Sequence, residues 1–135
     1  MLLGDVMDEL GTALGVIPDL RVFPYWADRI VPPAAVVAWP ERITYDATYH
    51  RGGDRADIPV IVLAGRADAR TSRDRMARYL DGTGAHSVKA AVDGHQATAY
   101  DSATVSQAAE VTSVLVANVD YLAATFTVQI FGRGG

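Results

Sequence analysis

Leu3, Met7, Leu10 and Leu14 recur at helical spacing with Val6 beside them, so residues 2–14 read as an amphipathic helix. Asp5, Asp8, Glu9 and Thr12 occupy its wet face. Gly15 is placed to close the helix in the left-handed conformation, and Pro18 stops its continuation. Residues 21–25 form a short strand that Pro24 confines to an edge or to its own end. Residues 27–33 are irregular, with Pro32-Pro33 forcing an extended connection, and 26–33 reads as an arm carrying Trp26, Ile30 and Val31. The uninterrupted apolar run 34–39 has strand length and predicts a strand covered on both faces. Ile43, Tyr45, Ala47 and Tyr49 then alternate with Arg42, Thr44, Asp46 and Thr48, the period-two pattern of a strand with one polar face. Residues 50–56 make a polar, glycine-bearing tip, and 57–65 return as the second arm of a long hairpin.

In the second half, Thr71 or Ser72 can cap a helix over 72–81, with Asp74 three residues beyond Thr71. Its core positions are Met76, Tyr79 and Leu80, and Gly82 and Gly84 end it. Ser87 caps one further short turn over 88–92, closed by Gly94. From residue 98 the pattern becomes strand. The alternation of Leu122, Ala124, Phe126, Val128 and Ile130 with polar or small neighbours is the cleanest in the chain, and its partner is 110–117 across a turn at 118–120. Residues 132–135 are a flexible glycine-rich tail. Strands that cluster instead of alternating with helices predict one α+β domain over 1–135, with a mainly antiparallel sheet, helices on one face and a long hairpin.

Charge sharpens this outline by its placement. The four acids among the first twenty residues, Asp5, Asp8, Glu9 and Asp19, account for the entire net charge of −4, and the remainder of the chain is balanced. An acidic chain of pI near 5.2 is poorly suited to gripping phosphates, which excludes most nucleic-acid binding modes. Basic residues concentrate instead at Arg66, Arg70, Arg73, Arg75 and Arg78, a stripe that either forms ordinary intrahelical ion pairs or docks an acidic partner. The absence of cysteine excludes disulfides, thiolate metal sites and a cysteine nucleophile. The longest apolar stretches, 30–39 and 58–65, are too short to span a bilayer, and a cytoplasmic site of synthesis is expected.

Catalytic patterns are weak. His50, His86 and His95 form no close ligand pair on one helix turn; a zinc site from His86, Asp93 and His95 is imaginable, but surface histidines in loops are the common case. Ser87 and Lys89, two residues apart on a helix start, point away from each other, so Ser87 reads as a cap and Lys89 as a solvated charge. No spacing singles out a carboxylate pair. Partner binding is favoured over an enzyme. Candidate contact residues are Asp5, Asp8 and Glu9 on the first helix, Trp26 in the arm, Arg51 and Arg55 in the hairpin tip, and Arg70 and Arg73 in the stripe.

Four stretches carry a family resemblance: the opening helix 1–15; Arg21-Val22-Phe23-Pro24-Tyr25 followed by Val31-Pro32-Pro33-Ala34-Ala35-Val36-Val37; Tyr79-Leu80-Asp81-Gly82-Thr83-Gly84 running into Ser87-Val88-Lys89-Ala90-Ala91; and Val119-Asp120-Tyr121-Leu122-Ala123-Ala124-Thr125-Phe126-Thr127-Val128. In order, and over nearly the whole chain, they resemble the tail terminator proteins of long-tailed, siphovirus-type phages of actinobacteria. The resemblance implies a virion structural protein with no catalytic residue, cofactor or metal. It further implies a homo-oligomeric ring, of six copies, that stops growth of the tail tube, meets the head–tail connector or head-closure protein, and lets genomic DNA pass without specific binding. Head-closure and adaptor rings are the neighbouring alternatives. A domain of this length is equivalent to a sphere roughly 36 Å across, so six in a ring leave a hole about one subunit wide. On this reading the N-terminal acids either face the DNA path or meet the arginine helix of the next subunit.

Overall fold

A computed structural model of the chain describes residues 1–25, 29–45 and 53–133. In chain order the elements are α1 (Leu3–Leu14), β1 (Arg21–Phe23), β2 (Ala34–Val37), β3 (Arg42–Thr44), β4 (Gly53–Arg66), α2 (Arg70–Leu80), α3 (Val88–Asp93), β5 (Ser102–Val116) and β6 (Val119–Arg133). The strands form one sheet in the order β1-β2-β4-β6-β5, with β3 pairing beside β2 on the same edge of β4. Among the described residues only the β1–β2 pair is parallel. The fold is α+β with a mostly antiparallel sheet, as the clustering of strands predicts.

Period-two alternation decides which side of the sheet is covered. Ala56, Ile58, Val60, Val62 and Ala64 of β4 share one core with Ala124, Phe126, Val128 and Ile130 of β6. The same core takes Val6, Met7, Leu10 and Leu14 of α1, Met76 and Tyr79 of α2, and Val88 and Val92 of α3. All three helices therefore cover one face, and α3 packs against both α1 and α2. Each fully buried Ile, Val, Leu or Phe contributes about 1.5–3 kcal/mol relative to exposure.

Two local devices fix the helices to the sheet. The β4–β6 register slips between Leu63 and Gly65, a bulge that removes the Ala64 carbonyl from the ladder. Arg75 Nη1 donates to that carbonyl at 2.9 Å, which sews α2 to β4. At the far edge, Asp93 Oδ1 accepts the N–H of Val105 at 3.0 Å and Lys89 Nζ donates to the Val105 carbonyl at 3.2 Å. Lys89 and Asp93, themselves 2.6 Å apart, thus give the first part of edge strand β5 a partner.

Several boundaries depart from the sequence reading. Gly15 ends α1 in a right-handed conformation, and the positive φ of 61° falls to Asp19. α2 begins at Arg70 behind an uncapped Ala69; Ser72 is buried beneath Gly65, where the bulge needs it, and Leu80 is exposed. Ser87 caps α3 as expected, accepting from the Ala90 N–H at 3.0 Å. The β5–β6 turn is the two-residue Ala117-Asn118, with φ of 50° and 65°, so Val119 and Asp120 belong to β6. Gly53 to Ala56, placed by sequence in the hairpin tip, are already strand, and Gly132 and Arg133 of the expected tail pair in β6. The Met1 ammonium donates to the Arg133 carbonyl, holding the two ends of the chain together. Residues 26–28, 46–52 and 134–135, including Trp26, His50 and Arg51, lie outside the described residues.

Two substitutions test this reading of the backbone. At Gly65, with φ of 149°, a Cβ would fall on the Ser72 hydroxyl. Gly65→Ala is expected to cost about 1–3 kcal/mol in denaturant unfolding. Ala117→Gly relieves a left-handed alanine and is expected to raise stability by about 0.5–1 kcal/mol.

Candidate functional site

The acids of α1 divide into two groups by the helix face they occupy. Glu9 turns inward to the loop before β5, where its Oε1 accepts the N–H of Thr98 at 2.8 Å and that of Ala99 at 3.4 Å. Its Oε2 lies 3.1 Å from His95 Nε2, and both side chains are about four-fifths buried. Donation from Thr98, then from the His95 ring, holds the Glu9 carboxyl below the usual carboxylate range. The nearby Tyr100 hydroxyl is buried without a partner among the described residues; burial, with the Glu9 charge behind it, pushes its pKa up to about 12. Glu9 is therefore an internal tie between α1 and the loop. Of the three acids expected to meet a partner, Asp5 and Asp8 remain exposed for that role.

The arginine stripe divides similarly. Arg75 is taken by the Ala64 carbonyl, and Arg70, Arg73 and Arg78 are exposed along α2. Arg73 pairs with Asp74 at 2.9 Å and Arg66 with Asp68 at 3.6 Å, both at the surface, where such pairs are worth about 0–1 kcal/mol. Because α3 lies between and against α1 and α2, the exposed acids and the exposed arginines sit on separate helices of one layer. Arg55 is on β4, its guanidinium bonded to Asp57 at 3.1 Å and 3.4 Å, so it is part of the strand and not of a free tip.

The residues considered for chemistry are each held elsewhere. The Ser87 hydroxyl donates to the Asp81 carbonyl at 2.6 Å and accepts from Ala90, and Lys89 is engaged by Asp93 and Val105. His95 faces Glu9, and His86 lies by Arg78 and Asp81 on another side of α3. Among the described residues no three His, Asp or Glu side chains gather as a metal site, and no helix is long and apolar enough to cross a membrane.

Two surfaces escaped the sequence reading. Met7, Tyr25, Val37, Ala38 and Trp39 line an apolar depression in which Trp39 is 74% and Tyr25 62% exposed. The sequence reading carries a strand covered on both faces to Trp39, but β2 stops at Val37; Pro40 is the available signal, since proline has no N–H to donate to a ladder. The second surface is β5 beyond Val105, where Gln107 to Leu115 are all exposed and include Val111, Val114 and Leu115. No protein-family model matches the chain, and no curated protein matches it.

The Glu9 tie has a pH signature. Folding lowers the Glu9 pKa, so its stabilisation is fully present above the ordinary carboxylate range and is lost as pH falls through the lowered folded value. Glu9→Gln is expected to flatten this acid limb of the stability–pH curve while leaving the helical circular dichroism unchanged at neutral pH. A variant curve as steep as that of the native chain would exclude the role.

Proposed function

We propose that this chain is a virion structural protein of a long-tailed phage, assembling as a ring of six copies that ends the tail tube and presents a surface to the head–tail connector. The observation that carries the reading is the separation of exposed charge within one helical layer: Asp5 and Asp8 on α1, and Arg70, Arg73 and Arg78 on α2. Surfaces of opposite sign at different places on one subunit suit head-to-tail contacts, which form a ring when the rotation between neighbours closes. The order of segments that resembles tail terminators supports the same conclusion. Exposed Trp39 and Tyr25 beside Met7 add an aromatic anchor of the kind that dominates protein interfaces. The chain would then act at the junction of tail and neck, with DNA passing through the lumen unbound. Its role would be mechanical and not enzymatic.

Charge reversal tests the contact. Arg70→Glu with Arg73→Glu is expected to abolish ring formation and tube capping in negative-stain images, and Asp5→Arg with Asp8→Arg in the same chain to restore them. Rings of the native protein should weaken as salt rises from low to physiological strength, because exposed pairs are screened over a Debye length of about 8–10 Å. A native protein that neither forms rings nor caps purified tubes would overturn the proposal. Rings that bind portal-side neck components but ignore tube ends would identify a head-closure or adaptor ring instead.

A further inference from the structure

β5 is an edge strand, and among the described residues only its first part has a covering partner. Lys89 and Asp93 occupy the outward N–H and carbonyl of Val105, and irregularities follow between Val105 and Gln107 and between Ala109 and Thr112, with Glu110 at φ 55°. Beyond them Thr112 to Val116 pair regularly with β6 up to the Ala117-Asn118 turn. A two-residue turn closes on a hydrogen-bonded pair, here Val116 with Val119. Alternation then assigns Thr112 and Val114 to bonds with β6, and turns the N–H and carbonyl groups of Ser113 and Leu115 outward.

Natural edges are protected by lysine, proline, short length, bulges or a covering element, and the irregularities of β5 end before Thr112. The stretch Val111-Thr112-Ser113-Val114-Leu115-Val116 has no charge, no proline and no glycine, and Val111 and Leu115 are 51% and 64% exposed. Six uncharged residues rich in β-branched side chains on an open edge are a template for another strand. The other described edges, at β1 and β3, are three residues long, so a partner of matching length in a second copy is β5 itself.

We infer that the unassembled chain pairs with a second copy through β5, antiparallel and about a two-fold axis at Val114. In this register Ser113 faces Leu115 of the partner subunit and exchanges both backbone hydrogen bonds with it, and Leu115 does the same with Ser113 of the partner subunit. Thr112 lies opposite Val116 of the partner subunit, so no like charges meet. Val114 faces its own copy in the close, non-hydrogen-bonded position. A two-fold contact is isologous and cannot generate a polar ring, so this pairing is distinct from the head-to-tail contact proposed above and does not rest on it.

The absence of native cysteine makes a single thiol a clean probe. Cβ atoms of a non-hydrogen-bonded antiparallel pair stand close enough for a disulfide. Under mild oxidation Val114→Cys is expected to cross-link to a dimer on the order of tenfold faster than the exposed control Leu2→Cys, because pairing raises the effective thiol concentration. Adding Leu115→Lys, or Ser113→Pro whose lost N–H faces outward, should remove that advantage while thermal melting stays that of Val114→Cys alone. Equal rates for Val114→Cys and Leu2→Cys would overturn the inference, as would a rate untouched by Leu115→Lys in a chain that still melts normally. Tube capping by the Leu115→Lys variant bears on the ring alone: capping without cross-linking separates the ring from the dimer, and cross-linking of Val114→Cys when the native chain never caps tubes leaves the dimer standing.

Discussion

The antiparallel ladder between β4 and β6 runs from Gly53 opposite Arg133 to Arg66 opposite Tyr121, and the other elements take their places from it. Its even-numbered positions form one apolar face that water cannot be left to cover, and each helix contributes its own stripe to that face. A one-residue slip would turn Ile58, Val60, Val62, Phe126 and Val128 away from the helices. The ladder is therefore strongly specified, and the single permitted irregularity, at Ala64, is where α2 is attached.

Attachment explains why some charges are available and others are not. Arg75 is bound to the carbonyl that the bulge releases, which leaves Arg70, Arg73 and Arg78 on the outer side of the same helix. Glu9 is bound to the loop of Thr98, which leaves Asp5 and Asp8 outward on α1. Lys89 and Asp93 complete the edge of β5 for one residue and no further. In each case a charge that looked like surface in the sequence satisfies a backbone group that the sheet could not, since a buried unpaired N–H or carbonyl costs roughly 1–3 kcal/mol.

Much of the fold was legible. The 4-3-4 spacing of Leu3, Met7, Leu10 and Leu14, the alternation from Leu122 to Ile130 and the cap at Ser87 are local patterns, and local patterns survive into the structure because the chain enforces them within a few residues. The ends of α2 and the start of β4 were not legible, since the bulge at Ala64 and the pairing of Gly53 to Ala56 with distant Ile130 to Arg133 depend on partners many residues away. The candidate contact surface was half visible: the arginines of α2 and Asp5 and Asp8 could be named from the sequence, but the inward turn of Glu9 and the exposure of Trp39 could not.

By itself the sequence determined the element types, the α+β class, the placement of the net negative charge on the first helix and its exit and of an arginine stripe over residues 66–78, and the lack of thiol chemistry. Those follow from residue spacing, turn chemistry and composition, which act over one or two helical turns or a strand pair. Only the tertiary structure decided which charges are internal ties and which stay exposed, where the bulge attaches α2, and that β5 ends as an uncovered edge. Each of these depends on which backbone groups and side chains find partners across the sheet, and that is set by packing between segments as far apart as Glu9 and Thr98.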